Sequence, residues 1–294
     1  MLNHISDLIE KLAKEGRPNL QKNISITWIH YKSQKPEAGS GIGAAWAQNK
    51  LFYPASVIKL IYGIATEIWL KNDLIVDSTE LQRALSNMLA ESSNDATSYI
   101  VDILTGTNSG PFLKEERWES WKIQRQLINK WLKSLNWSEL EQINCCQKTW
   151  TDGPYGRDRK FYGERNENRN ALTTNAIGRI LEELMTGHLL SKTSSKNIKD
   201  YLSRSLDLEQ RKENPENQID GFLGAGLPKL INLWSKAGWM SQVRHDAAWL
   251  NKPDENPMLL VVFSKGKELS NDNFLLPSIA AELYKLHEEM NQIN

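Results

Sequence analysis

The chain has 294 residues, enough to bury a sizeable core without covalent staples, in two domains or in one domain with an insertion. Lys plus Arg number 36 and Asp plus Glu 36, so no basic excess draws the protein to nucleic acid or to an anionic membrane. A small molecule or a peptide is the expected partner.

Over residues 1–16 apolar side chains recur at helical spacing (Ile5, Leu8, Ile9, Leu12), unlike the basic start and unbroken apolar stretch of an export signal. On this sequence the protein is expected in the cytoplasm, or in the periplasm if an export segment precedes it. No apolar run reaches the roughly 18 residues of a spanning helix. Residues 23–31, NISITWIHY, alternate and are β-branched, which predicts a strand, and the Gly-rich residues 39–48 suit the second arm of a hairpin.

Helical periodicity then takes over at residues 57–70, 80–91 and 95–104. Residues 106–169 are rich in Trp, Gly, Asn and charge; one helix is predicted over 119–135 and irregular structure over 148–170. Trp118, Trp121, Trp131, Trp137 and Trp150 read as packing against the helical block. Residues 172–187 form a further predicted helix, capped by Thr173 or Thr174 and ended by Gly187. Strands return at 230–240, 244–251 and 258–264, before a last helix over 276–290.

This order predicts an α/β (α+β) fold, an antiparallel sheet flanked by terminal helices with a helical domain inserted. The sheet domain is placed at 1–55 plus 205–294. The helical domain is placed at 56–204, with the Trp-rich insertion at about 106–170.

Ser56 and Lys59 open the first long apolar helix one turn apart, so their side chains share a face. A serine hydroxyl is a weak nucleophile that needs a base, and a lysine serves when burial lowers its pKa. The helix N-terminus adds a backbone donor for a developing oxyanion. Spacing alone decides little, because Ser264 and Lys267 repeat it and serine also favours helix caps.

The company of the pair is more specific. YPASVIKL, then ESSNDAT, then SKAGW with RHDA resemble, in that order, the three active-site elements of class A β-lactamases and related penicillin-binding proteins. The resemblance implies a β-lactamase/transpeptidase-like fold and makes Ser56 the nucleophile and Lys59 its base. Ser92 would pass a proton to the leaving nitrogen, Asn94 would hold the substrate amide and Lys59, and Lys236 would tune Ser92. Gly238 lies in the third element, the N–H groups of Ser56 and Trp239 would form the oxyanion hole, and Arg244 would bind a substrate carboxylate. The alternative for Arg244, His245 and Asp246 is a local ion cluster at a strand edge.

Members that release the acyl group quickly carry an acidic loop of the form E-x-x-x-N. Here the candidate is Glu164 with Asn168, Glu167 is a rival, and a plain solvated loop is the alternative reading. Ala237 stands where the family has a hydroxyl, which weakens the expected affinity for β-lactams. No cofactor or metal is expected: the five histidines, His4, His30, His188, His245 and His287, lack ligand spacing, and Cys145 and Cys146 lack partners. The expected activity is acyl-enzyme hydrolysis of a β-lactam or peptide-like amide. The alternatives are a D-alanyl-D-alanine carboxypeptidase, amidase or esterase on the same fold, and a non-catalytic penicillin- or peptide-binding module.

Overall fold

The computed structural model describes residues 2–293, so Met1 of the first predicted helix lies outside the described residues. The chain begins with α1 (Leu2–Lys14), α2 (Leu20–Asn23), β1 (Ile24–His30) and β2 (Ile42–Trp46). A 3-10 turn, Ala55–Val57, runs on into α3 (Ile58–Lys71), followed by α4 (Thr79–Leu89), α5 (Asn94–Thr105), α6 (Glu115–Arg125), α7 (Leu127–Ser134) and α8 (Gly156–Tyr162). Next come α9 (Thr174–Thr186), α10 (Lys192–Leu202), β3 (Ser203–Arg204) and α11 (Leu208–Glu213). The chain closes with β4 (Asn232–Met240), β5 (Val243–Asn251), β6 (Met258–Lys265), α12 (Lys267–Asn271) and α13 (Leu275–Ile293).

Two compact units divide the chain. One runs to Val57 and resumes at Thr173; the other is Ile58–Leu172. The first is built on a six-stranded sheet in the order β2-β1-β6-β5-β4-β3, antiparallel at every pairing. Alternation assigns its two faces. Ile24, Ile26 and Trp28 of β1, Leu233 and Ala237 of β4, and Leu260 and Val262 of β6 share one buried cluster with α1 (Ile5, Ile9) and α13 (Ile279, Leu283). The opposite face takes α9: Thr174 Oγ1 bonds with Ser25 and Thr27, and a side chain at Gly178 would touch Thr27, Leu259 and Val261.

That packing explains why the domain boundary placed at 204/205 falls at 172/173. α9 buries Ala176, Ile177, Ile180 and Leu181, and its polar entry is paid out in hydrogen bonds to β1, so it belongs with the sheet. The helix predicted over 119–135 is two, divided at Gln126, whose φ and ψ of −90° and 4° leave the helical region. α10 was not predicted, and KTSSKNIKDYL shows why: it buries only Ser195, Ile198 and Leu202, too few for a clear period.

In the Ile58–Leu172 unit Trp131 packs against the helical block, while Trp118 and Trp121 pack within the insertion. Trp121, 4% exposed, clusters with Phe161 and Cys146 and stacks on Trp118, and Trp131 meets Trp69 edge to face. Buried Arg125 stacks on Trp121 and donates to buried Asp158 at 2.6 Å, a paired charge that fixes α6 to α8.

Candidate active site

α3 is apolar around its circumference, with Ile58 to Glu67 and Trp69 buried, so any amine on it is desolvated. Lys59 is wholly buried, and its ammonium donates to Ser92 O at 2.5 Å, Asn94 Oδ1 at 2.8 Å and Ser92 Oγ at 3.2 Å. All three acceptors are neutral. Burial without a counter-charge lowers the Lys59 pKa to about 7.

Ser92 has a left-handed φ of 58°, and the next residue, Ser93, caps α5 by accepting from Ala96 N at 3.1 Å. This bend turns both the carbonyl and the hydroxyl of Ser92 to the one amine. Asn94 begins α5 and uses both ends of its amide, Oδ1 on Lys59 and Nδ2 on Thr151 Oγ1 at 3.0 Å. Sequence reasoning missed Thr151, which carries no motif.

Glu164 and Glu167 lie exposed after α8, and among the described residues neither carboxylate hydrogen-bonds to Lys59 or Asn94. Glu167 instead accepts from the N–H of Arg165 at 3.1 Å, within its own turn. The buried amide of this segment is Asn170 and not Asn168. Its Oδ1 accepts from Cys146 N at 3.0 Å and Gln147 N at 2.9 Å, and Nδ2 donates to Gln147 O at 2.9 Å.

The sheet unit holds the other predicted residues. Ser56 sits in the Ala55–Val57 turn, after Ala55 with a left-handed φ of 48°. The approach to this turn is fixed by His245: Ser264 N donates to Nδ1 at 3.1 Å, which leaves the ring proton on Nε2 to be donated to Tyr53 O at 2.9 Å. Burial lowers the His245 pKa to about 4, so the ring is neutral near pH 7. His245 is thus a support for the Ser56 turn that sequence reasoning left in an ion cluster.

β4 passes close to the Ser56 turn. A Cβ on Gly238 would lie 2.7 Å from Pro54 O and 3.0 Å from the backbone nitrogens of Ser56 and Val57, so the strand approaches the Ser56 turn only because residue 238 is glycine. Ala237 N points away from β5, since it donates to Gln218 Oε1 at 3.3 Å. The pleat repeats every two residues, so Trp239 N points off the same edge, beyond the two-residue β3, which covers β4 only at Leu233 and Trp234. The backbone nitrogen of Ser56 thus lies beside Gly238, and Trp239 is the next residue along the strand.

Lys236 is 1% exposed and donates to Gln218 Oε1 and, at 3.2 Å, to Ala237 O. Arg244, the expected carboxylate binder, is largely engaged by the protein itself. Its guanidinium is buried between the rings of Phe222 and Trp239, 4.9 and 5.8 Å away, with Nε on Ser270 O at 2.9 Å and Nη1 on Gly221 O at 3.1 Å. Trp239 Nε1 also donates to Ser270 O, at 2.8 Å. Two of the three guanidinium nitrogens are therefore committed to carbonyls. Asp246 does not pair with either neighbour: its Oδ2 accepts from Leu223 N at 3.1 Å, and burial raises its pKa to about 7.

Among the described residues no group of three or more His, Cys, Asp or Glu could hold a metal ion, and no helix is long and apolar enough to cross a membrane.

The antiparallel sheet with terminal helices on one face, together with the family match, supports a serine hydrolase of β-lactamase type. The chain belongs to the beta-lactamase enzyme family, whose model matches residues 73–286. The matched span starts after Ser56 and Lys59. Solved structures with the same fold include a β-lactamase from Sphaerobacter thermophilus (14% identity, 97% of this chain and 98% of that one, TM-score 0.68). A β-lactamase from Chitinophaga pinensis is similar at 15% identity (98% and 100% covered, TM-score 0.67). A variant of PBP-A, solved as an acyl-enzyme complex with penicillin G, is similar at 15% identity (98% and 97% covered, TM-score 0.64). No curated protein sequence matches the chain.

Proposed function

We propose that the protein opens the amide of a β-lactam or a peptide-like substrate through an acyl-enzyme on Ser56. The observation that carries this reading is Lys59, a buried amine held by neutral oxygens with a pKa lowered to about 7, three residues after Ser56 along a continuous helical stretch. A neutral Lys59 takes the Ser56 proton as Oγ attacks the carbonyl carbon, and the oxygen's charge is received by the N–H groups of Ser56 and Trp239. Ser92 returns a proton to the departing nitrogen, with Lys236 as the fixed positive charge and Asn94 as the substrate amide's partner.

The fate of the acyl group follows from Asn94 and Thr151. Hydrolysis needs a base for water, and a carboxylate is the usual one. Here the amide of Asn94 meets a hydroxyl, and Glu164 and Glu167 are exposed elsewhere. We therefore favour fast acylation with slow release, closer to the D-alanyl-D-alanine peptidase, amidase or esterase alternative than to efficient β-lactam turnover. Nitrocefin mixed with the enzyme tests this. A burst of about one equivalent followed by a slow steady state is expected, whereas rapid linear turnover would contradict slow release, and the absence of any burst or turnover would contradict acylation.

A further inference from the structure

β4 is buried from Ser235 through Gly238, and then Trp239 emerges 54% exposed. Its indole is nonetheless held in place. Nε1 donates to Ser270 O at 2.8 Å, and the guanidinium of Arg244, its cross-strand partner on β5, lies 5.8 Å from the ring centroid. A hydrogen bond and a cation–π contact together set the direction of the ring. One face is turned to the guanidinium, so the exposed surface is drawn from the other face and the edge. A ring held rigid with so much apolar surface in water is suited to stacking a flat group, because contact area is gained with little loss of side-chain freedom.

The ring is rooted beside the Ser56 turn. A Cβ on Gly238 would lie 3.0 Å from Ser56 N, and the Cα of Trp239 follows that of Gly238 by about 3.8 Å. Arg244 gives the side of the substrate. It is the residue expected to bind a substrate carboxylate, which in a penicillin is borne by the carbon bonded to the departing nitrogen. Here Nε and Nη1 donate to Ser270 O and Gly221 O, the rings of Phe222 and Trp239 lie against the guanidinium, and Ala237 brings no hydroxyl. Surroundings rich in rings, with donors already engaged, receive a flat apolar group better than an anion that must be desolvated.

We propose that Trp239 is a specificity-determining residue of the Ser56 site: its indole stacks a flat apolar group carried on the leaving side of the substrate. This rests on the acyl-enzyme reading, and the test separates the two. The probes are the thioesters of phenylacetylglycine with benzyl mercaptan and with mercaptoacetic acid, which share an acyl group and differ in the leaving thiol. On acylation Ser56 Oγ bonds to the carbonyl carbon, the C–S bond breaks, and the thiol departs with the serine's proton. The burst of thiol release gives the acylation rate of each probe, and their ratio is compared between wild type and variants, so that intrinsic reactivity cancels.

The benzyl-to-mercaptoacetate ratio should fall about fivefold in Trp239→Leu, the scale of one aromatic stacking contact, and be largely restored in Trp239→Phe, which keeps a flat ring without the Ser270 bond. A merely structural role would lower both rates and leave the ratio alone. Binding without chemistry is read in Ser56→Ala, which needs no change at residue 239. There the 15N-labelled indole N–H of Trp239, assigned by its loss in Trp239→Phe, should shift at an about fivefold lower concentration of the benzyl thioester than of the mercaptoacetate thioester. An unchanged ratio in Trp239→Leu, or equal affinities in Ser56→Ala, would overturn the inference even where Ser56 is acylated. Indole shifts selective for the benzyl thioester in a protein that forms no adduct would uphold the stacking role and overturn the Ser56 reading alone.

Discussion

Lys59 and Lys236 are both buried, yet their surroundings differ. Lys59 stands on an apolar helix with the neutral oxygens of Ser92 and Asn94, and its pKa is lowered to about 7. Lys236 stands on a strand, held by Gln218, with the carboxyl of Asp246 and the guanidinium of Arg204 in its neighbourhood. The contrast sets a desolvated amine held by neutral oxygens, able to exchange a proton near neutral pH, against an ammonium bonded to a side-chain amide. Desolvation without a counter-ion is what lowers the Lys59 pKa, the property the proposed base requires.

The sharpest way to break the comparison is to remove the base. Lys59→Met should lower the acylation rate about a thousandfold, in the range that general-base and nucleophile-activating groups supply. In the wild type the rate should rise with pH through about 7 and level off above it, because the neutral amine is the active form. Stability also rises with pH, over a higher window. The folded pKa of Lys59 lies below its ordinary 10.5, so its contribution is complete above 10.5 and is lost as pH falls toward about 7. Lys59→Met should therefore unfold at a higher temperature than wild type at pH 7, checked by calorimetry.

Next in size is Gly238→Ala. A methyl 2.7 Å from Pro54 O and 3.0 Å from Ser56 N must push β4 off the Ser56 turn, and loss of one aligned oxyanion donor should slow acylation about a hundredfold. Thr151→Glu probes the other unit. It places a carboxylate where Asn94 now meets a hydroxyl, and the adduct's lifetime should shorten about tenfold or more, read from the steady-state nitrocefin rate.

The smallest effect lies outside the site. His30 Nδ1 and His287 Nδ1 are 2.7 Å apart and buried, and His287 Nε2 donates to Asn256 O at 3.0 Å. Burial lowers both pKa values, that of His287 to about 4, so stability is full above about 6.5 and lost as pH falls toward about 4. Urea titrations should show a decline of about 2 kcal/mol over that window. A His30→Gln, His287→Gln double variant should lack it.

Much of this was legible in the sequence because it is local or periodic. Ser56 and Lys59 share a helical stretch, Ser92 and Asn94 share one bend, and the alternation of residues 23–31 and 258–264 marks two strands of the sheet. What escaped depends on contacts distant in the chain. Thr151 reaches Asn94 from 57 residues away, His245 supports Tyr53 from 192, and Gln218 serves Lys236 from a loop without a motif. The bonds of Arg244 were hidden for the same reason: nothing in RHDA says that Ser270 and Gly221 accept from its guanidinium. α9 was read as a helix but assigned to the wrong unit, since its partners Ser25 and Thr27 lie on β1.

The central claim is that Ser56 carries the acyl group. Incubation with penicillin G, followed by intact mass and peptide mapping over time, tests it most directly. One adduct per chain is expected, on Ser56, persisting for minutes or longer and absent in Ser56→Ala. An adduct on another residue, or none in a folded wild-type protein, would contradict it.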